Sequence, residues 1–425
     1  MKPLIAQTVQ AMKASRHILV ACLLAGSIYA QDRTADPGLT AHEWGTFTSV
    51  AGNDGQAVEW RPLELSNLAI DASPVRSSDN YRSKELPSFV ETMRWGFKGG
   101  LFATIRMETP VLYFYSSQPM TLSVHVQFAK GLITEWYPHG TAPPAKGGLD
   151  DAALYSKGVA AGGIVWNAVT LEPGAAPKFP SDSSDNGDRY YAARETLATP
   201  LRVDAPGGVQ HEKFLFYRGV SRFPVPVSAT FTSQGKLEVK NLLEEEIPTV
   251  VLFERRGEKL GYRISGGLQD EVSLDMPQMT ATVEHLYSDL EAALVARGLY
   301  SEEAHAMLET WRNTWFEEGS RLFYIVPSSF VETVLPLSIT PAPAQVIRVF
   351  VGRLELVSPT TQKAVSAALA ANDKATLAKY GRFLDPILAV IREKTAKPGQ
   401  ESQMKPCPAE VLRVAPASIS NRSKP

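Results

Sequence analysis

Residues 111–137, VLYFYSSQPMTLSVHVQFAKGLITEWY, contain three short runs of β-branched and aromatic residues, and turn-forming residues separate these runs. The runs at 111–115, 122–128 and 133–137 predict three β-strands, because such residues favour extended backbone and the intervening residues favour turns. Gly131 supplies the backbone freedom that the second turn needs. We therefore expect the three strands to pair in chain order as an antiparallel meander.

The same alternation of apolar runs and turn residues extends on both sides of this stretch, from Thr40 to about Asp275. Strand signals at this spacing are typical of β-sandwiches. Further strands are predicted at 164–171, 213–218, 227–232, 236–239, 249–254, 260–264, 321–326, 334–339 and 346–357.

The hydrophobic period then changes, because apolar residues from Val283 onward recur at intervals of three and four. Residues 283–294 predict an amphipathic helix that Gly298 ends, and Ser301 is a suitable cap for a second helix. Two antiparallel helices are the expected result. The serine-proline pair at 358–359 predicts the start of a helical C-terminal region.

These patterns predict a mainly β fold of the α+β class: β-sandwich-like domains, an inserted helical hairpin and a helical C-terminal segment. The tail is rich in Pro, Ser and Lys, a composition typical of disorder. The expected organisation is a signal peptide at 1–30, an N-terminal β-rich domain at 31–205, a second β-rich unit at 206–278, a region of hairpin, strands and C-terminal helices at 279–395, and a disordered tail at 396–425.

The N-terminus has the order of a secretory signal: Lys13 and Arg16, an apolar run at 18–28, and a small-residue cleavage site ending at Ala30. We expect cleavage there and a periplasmic or secreted chain. No stretch reaches the roughly 20 apolar residues of a membrane span, so the mature chain should contain no transmembrane span. Lipoprotein anchoring through Cys22 is the alternative, but a lipobox normally closes the apolar run and this one opens it.

Charge and cysteine content narrow the class of protein. The 43 Lys and Arg residues are balanced by 45 Asp and Glu, and no basic block occurs, which argues against nucleic acid as a partner. Once the signal is removed, Cys407 is the only cysteine. An internal disulfide is then impossible, so burial of apolar side chains must hold the fold together.

Histidines suggest a possible metal site. His42 and Glu43 are adjacent potential ligands, but on a strand they point to opposite faces unless Gly45 introduces a bulge. His125 and His139 could join His42 around a zinc or copper ion. Structural packing of the segment around His42 is the reading that we favour over a metal site, and no HExxH or CxxC motif is present.

The segment 182–188, DSSDNGD, alternates oxygen-bearing side chains and carries glycine at its sixth position, like the opening of a calcium loop. Position twelve is Ala193 where an EF-hand places glutamate, and a polar surface loop accounts for the same residues. The candidate calcium ligands are Asp182, Ser184, Asn186 and Asp188.

Aromatic residues could form a carbohydrate-binding surface, because rings stack on sugars; core packing is the alternative. Arg194 could bind a ligand carboxylate or form an internal ion pair. Glu135 is the first candidate for a catalytic acid of glycoside hydrolysis. Serine-elbow, phosphate-loop and dinucleotide motifs are absent. The candidate ligand-binding aromatic residues are Trp44, Trp60, Trp136, Tyr137 and Tyr190.

Residues 42–50, HEWGTFTSV, and 348–355, RVFVGRLE, resemble a family of uncharacterised exported bacterial proteins, and the similarity extends over most of the mature chain. The resemblance implies export and implies no activity or catalytic residue.

Two functions therefore remain open. The first is a binding or structural protein of the cell envelope or extracellular space that presents an aromatic surface to glycan or envelope protein. The alternative is a metal-assisted hydrolase of envelope or external polymers, using calcium or zinc. It requires His42, His125, Glu135 and His139 to converge in one pocket.

Overall fold

The structure is a computed structural model that describes residues 38–63, 86–93, 101–142, 161–182 and 188–395. The predicted signal peptide, Cys22 and the predicted tail lie outside the described residues. Among the residues described, no helix is both long enough and apolar enough to cross a membrane.

The described residues contain both strands and helices, and most of the helices follow residue 282. The strands are β1 (Thr40–Val50), β2 (Glu91–Thr92), β3 (Ile105–Tyr115), β4 (Met120–Ala129), β5 (Gly131–Tyr137), β6 (Ala161–Leu171), β7 (Leu201–Ala205), β8 (Gly208–Glu212), β9 (Phe214–Ser221), β10 (Val227–Phe231), β11 (Leu237–Asn241), β12 (Ile247–Arg256), β13 (Lys259–Leu268), β14 (Glu271–Leu274), β15 (Gly319–Val326), β16 (Leu337–Thr340) and β17 (Gln345–Leu356). The helices are α1 (Asp188–Ala192), α2 (Val283–Val295), α3 (Ser301–Trp315), α4 (Ser328–Val334), α5 (Pro359–Ala370), α6 (Lys374–Ala378) and α7 (Leu384–Thr395).

The strands form three sheets. A nine-stranded sheet has the order β13-β12-β15-β17-β1-β3-β9-β5-β2, a five-stranded sheet has the order β16-β4-β6-β7-β8, and β10, β11 and β14 form a three-stranded sheet. With 44% strand and 23% helix, the prediction of a mainly β, α+β fold is confirmed. One apolar cluster joins the nine-stranded sheet to both smaller sheets, and it includes Phe47, Leu112, Val124, Val239 and Phe350.

The predicted meander is wrong, although its three strands form where expected. β4 pairs with β6 and β16, whereas β3 and β5 both pair with β9. Burial explains the separation. β4 alternates between buried and partly exposed residues, as suits an outer sheet, whereas β3 and β5 are buried along almost their whole length and therefore need cover on both faces.

Helices cover the other face of the nine-stranded sheet. The predicted hairpin forms as α2 and α3, with Gly298 at φ +104° between them, although Tyr300 rather than Ser301 is the N-cap of α3. The apolar faces of α2 and α3 pack on Trp44, Val349 and their neighbours. Further along the same face, α5 to α7 pack on Val50 and Val357. The strand predicted at 334–339 is wrong in its first half, where α4 ends at Val334 and β16 begins at Leu337.

β1 and β17 pair in parallel at the centre of the nine-stranded sheet, from Thr40 opposite Gln345 to Val50 opposite Glu355. The sequence left open a bulge at Gly45, and the register of β1 against β3 does shift between Trp44 and Thr46. The segments 42–50 and 348–355, which carry the family resemblance, are therefore adjacent strands. Their polar side chains are brought together by this pairing.

Candidate functional site

A row of polar side chains crosses five adjacent strands on the helix-covered face of the nine-stranded sheet. The sheet register places Arg321 opposite Glu355, Arg353 opposite Thr48, and Thr48 opposite Arg106. The row separates the apolar cluster under α2 and α3 from the one under α5 to α7. The polar row consists of Thr48, Arg106, Glu108, Arg218, Arg321, Arg353 and Glu355, all of them buried.

Glu108 is the acceptor at the centre of this row. Its carboxylate accepts a hydrogen bond from Thr48 Oγ1 at 2.8 Å and forms an ion pair with Arg106 Nε at 3.3 Å. It also forms an ion pair with Arg382, which lies two residues before the start of α7. Burial alone would raise the pKa of Glu108, but Arg382, Arg106 and Arg218 hold it at about 2. Glu108 is therefore ionised and ties the C-terminal helices to the sheet.

Arg321 and Glu355 form a second buried pair. Arg321 Nε and Nη2 donate to the two oxygens of Glu355 at 2.9 and 3.2 Å. The remaining Arg321 donors reach the backbone carbonyls of Trp315, Glu317 and Glu318 at 2.7 to 2.8 Å. This guanidinium is thus fully satisfied, and it fixes the turn between α3 and β15.

A recess of about 10 Å³, room for one water-sized group, lies between the sheet and α3 beside Arg218. Thr109, the residue after Glu108, has φ +47° in an irregular part of β3. A β-branched residue in the left-handed region is strained, and such strain concentrates at functional sites. The recess is lined by Leu86, Thr109, Arg189, Tyr190, Arg218, Thr310 and Trp311.

The lining of the recess is rich in hydrogen-bond donors. Within the described residues, Trp311 Nε1 is buried without an acceptor, Arg189 has no ion-pair partner, and no acidic side chain lines the recess. Thr310 Oγ1 donates to the carbonyl of Arg189 at 3.1 Å, which holds α1 against α3. Two guanidinium groups and an indole N–H suit a negatively charged group.

The predicted histidine site is not assembled in the described residues, which contain no group of three His, Cys, Asp or Glu side chains able to hold a metal ion. His42 Nδ1 instead lies 2.8 Å from Glu303 Oε2, and His139 Nδ1 lies 2.7 Å from Glu91 Oε1. His125 is on β4 of the five-stranded sheet, whereas His42 is on β1 of the nine-stranded sheet. Separate sheets keep these ligands apart.

Glu303 is a site residue that the sequence did not single out. It is fully buried, and besides His42 its carboxylate accepts hydrogen bonds from Tyr115 OH at 2.5 Å and the Tyr300 backbone N–H at 2.8 Å. The His42 ring also lies 4.5 Å from that of Tyr300. The first turn of α3 is therefore joined to β1 and β3 by one carboxylate. The predicted acid Glu135 lies on β5, where its Oε2 accepts from Thr134 Oγ1 at 2.5 Å.

Most of the predicted calcium loop lies outside the described residues. Ser184, Asn186 and the side chain of Asp188 lie outside the described residues. Both oxygens of Asp182 accept hydrogen bonds from Ser88, from its backbone N–H and its hydroxyl, at 2.6 Å each. These bonds lower the pKa of Asp182. Asp182 is thus already used to hold two chain segments together.

The rings proposed for an aromatic surface do not form one among the described residues, because they belong to the core. The sequence pattern revealed strands but not the helices that cover their second face. Arg194 forms an internal ion pair, which was the alternative to ligand binding. Its Nε and Nη2 donate to Glu212 Oε1 and Oε2 at 2.9 and 2.6 Å. The buried side chains, none more than 9% exposed, are Trp44, Trp60, Trp136, Tyr137 and Tyr190.

Comparison with known proteins does not assign the chain to a family. No family model and no curated protein matches the chain. Among solved structures, the chain is similar to the yeast delta-COP-I mu-homology domain complexed with the Dsl1 WxWxV peptide, with a TM-score of 0.26 and 8% identity, over 75% of this chain and 96% of that chain. A TM-score this low supports no inference about fold or function.

Proposed function

We propose that this chain is an exported binding protein of the bacterial cell envelope and that the recess beside the polar row holds a carboxylate or phosphate of its ligand. Export is supported by the charged, apolar and small-residue order of the first 30 residues and by the family resemblance. The aromatic surface of the earlier hypothesis has no counterpart in the described residues, and the recess takes its place.

The observation that carries the proposal is the unpartnered indole N–H of Trp311 in a recess lined by Arg189 and Arg218. A buried donor without an acceptor costs about 1–3 kcal/mol, and an anionic oxygen in the recess would recover that loss. The strained backbone of Thr109, which costs about 1–3 kcal/mol, is consistent with a preorganised site. The size of the recess admits one oxygen of such a group, with the rest of the ligand outside it.

Binding is favoured over catalysis because the described residues of the lining pair no nucleophile with a base. A second candidate, hydrolysis of envelope or external polymers, is favoured by one observation. His139 is paired with Glu91 while both side chains stay partly exposed, at 36% and 29%, as a general base requires. A His139→Gln variant that keeps full hydrolytic activity on such polymers would remove this second candidate.

The proposed binding site can be tested by thermal denaturation of the mature chain with acetate, glucuronate or phosphate. Anion-dependent stabilisation should occur in the wild type and be lost in Trp311→Phe and Arg189→Gln. Trp315→Phe is the matched control, because it removes an equally buried, unpartnered indole N–H that does not line the recess. Equal stabilisation of wild type, Trp311→Phe and Arg189→Gln would refute the site.

A further inference from the structure

Solvent reaches the lining of the recess on one side. Five of its described lining residues, including Arg218 and Trp311, are buried, whereas Leu86 and Arg189 are half-buried. A ligand group therefore enters between Leu86 and Arg189, which form the mouth of the recess. A carboxylate is wider than the single water-sized space inside, so its entry requires these two residues to move apart.

Arg189, on one side of the mouth, belongs to a firmly held helix. Its backbone carbonyl accepts a hydrogen bond from Thr310 Oγ1 at 3.1 Å, which joins α1 to α3. The next residue, Tyr190, is buried and donates through its hydroxyl to Glu212 Oε2 at 3.0 Å. Movement of α1 would break both hydrogen bonds and expose the Tyr190 ring, so the mouth opens more readily on the other side.

Leu86, on the other side of the mouth, belongs to a turn at residues 86–90 that is held less firmly. Within the part of the chain that the structure describes, two hydrogen bonds join this turn to another segment. Ser88 donates both of them, through its backbone N–H and its hydroxyl, to Asp182 at 2.6 Å each. Ser88 is exposed, so water competes for these hydrogen bonds and their net contribution is small.

Apolar contacts hold the rest of the turn. The Phe89 ring packs on Tyr137 and Tyr190, with ring centroids 4.8 and 5.5 Å apart. Such contacts are non-directional, so the ring can slide while the turn pivots. The turn leads directly into β2, which pairs with β5, and this pairing provides the fixed point of the pivot.

We propose that the Ser88–Asp182 pair is a latch that controls access to the recess. While both hydrogen bonds are made, the turn at 86–90 closes the mouth beside Arg189, and when both break, the turn swings away and admits the anionic group. The latch rests on the proposed function for the identity of its ligand. Opening itself needs no ligand, so the two can be tested separately.

Hydrogen exchange of the Trp311 indole N–H, followed by NMR, measures opening without any ligand. This buried group reaches water only when the recess opens. Asp182→Ala should accelerate its exchange about tenfold, as expected for the loss of two solvent-exposed hydrogen bonds. Asp182→Asn, which keeps one acceptor oxygen, should have a smaller effect. The Trp315 indole N–H is also buried but does not line the recess, and its exchange should not change.

Asp373→Ala is the matched control variant. Like Asp182, Asp373 accepts hydrogen bonds from the backbone N–H and the hydroxyl of a single residue, here Thr376, at 3.1 and 2.7 Å. It caps α6 and does not line the recess. Asp373→Ala should therefore leave the exchange of the Trp311 indole N–H at the wild-type rate.

Equal exchange of the Trp311 indole N–H in wild type, Asp182→Ala and Asp373→Ala would overturn the latch. Equal acceleration of the Trp315 signal in Asp182→Ala would also overturn it, because the whole hairpin would then have loosened. If exchange responds as expected but acetate, glucuronate and phosphate leave the Tm of the wild type unchanged, the latch stands and the proposed ligand falls. If these anions stabilise the wild type but exchange does not respond, the recess binds its ligand without a latch.

Discussion

Glu108 has no exposure to solvent, and arginines from three different segments, Arg106, Arg218 and Arg382, act on its charge. Removing one partner of a buried charge network leaves the others uncompensated, so the network stabilises the fold only while Glu108 is ionised. Its stabilising contribution must therefore depend on pH.

The sign of that dependence follows from the lowered pKa. Because folding lowers the pKa of Glu108 from 4.5 to about 2, its contribution is complete above pH 4.5 and is lost as the pH falls towards 2. The loss is expected to approach about 3 kcal/mol. Unfolding free energies of wild type and Glu108→Gln should converge over this range, whereas the exposed Glu271→Gln should run parallel to the wild type. Parallel curves for Glu108→Gln would contradict the assignment.

The residues of this site were only partly predictable. His42 was noticed because histidine often binds metals, but its partner Glu303 lies 261 positions away in the sequence. Nothing local specifies such a contact. A usable signal did exist: Arg106, Glu108 and Arg353 are charged residues inside runs that otherwise have the composition of buried strands. A charge in such a run needs a buried partner and therefore marks a polar network.

At the scale of elements, local pattern predicted where most strands and helices form but not which strands pair. Strand pairing depends on contacts between distant segments, such as β1 with β17, and on which layers cover each face. β3 and β5 looked like neighbours of β4 because they are consecutive in the chain. Burial on both faces is what distinguishes β3 and β5 from β4, and that burial depends on the helices that cover the nine-stranded sheet.

The close packing of β17 against β15 predicts a sensitive glycine. A Cβ added at Gly352 would lie 2.0 Å from Tyr324 Cζ, so Gly352→Ala must displace a buried ring. We expect a loss of about 1–3 kcal/mol in unfolding free energy, measured by denaturant titration. Gly266→Ala in β13 is the control, because a Cβ there meets nothing within 4 Å. Equal effects of the two substitutions would show that this packing is described incorrectly.

Helix α3 should depend on the carboxylate that joins it to the sheet. Glu303→Ala leaves His42, Tyr115 and the Tyr300 N–H without their acceptor, at a cost of about 2–4 kcal/mol. Unfolding free energies and amide exchange in α3 are the measurements. Glu302→Ala, on the same turn, should cost under about 1 kcal/mol. Unchanged stability of Glu303→Ala would disprove the coupling.

At the largest scale, the described residues form layers: two smaller sheets, the nine-stranded sheet, and the helices on its other face. Composition and period were enough to predict the β-rich class. The layering was not predictable, because the strands of the nine-stranded sheet lie between residues 40 and 356. They come from all three predicted β-containing regions. The domain boundaries at 205 and 278 stay a prediction.

Export makes a prediction about the whole chain. Expressed from its full sequence in a Gram-negative host, the protein should be found in the periplasm or medium, and N-terminal sequencing should begin at Gln31. A cytoplasmic product that retains Met1 would contradict export. A lipid-modified product beginning at Cys22 would contradict cleavage after Ala30 and support anchoring instead.

The central claim, that the recess receives an anionic group, is tested most directly at the Trp311 indole N–H. The chain has seven tryptophans, so the spectrum of ¹⁵N-tryptophan-labelled protein contains at most seven indole N–H signals. The signal that disappears in Trp311→Phe is that of Trp311. Titration of the mature chain with acetate or phosphate should shift this proton downfield, saturably, while the Trp315 signal moves much less. A Trp311 signal that stays in place while the anions bind elsewhere, or do not bind, would contradict the account.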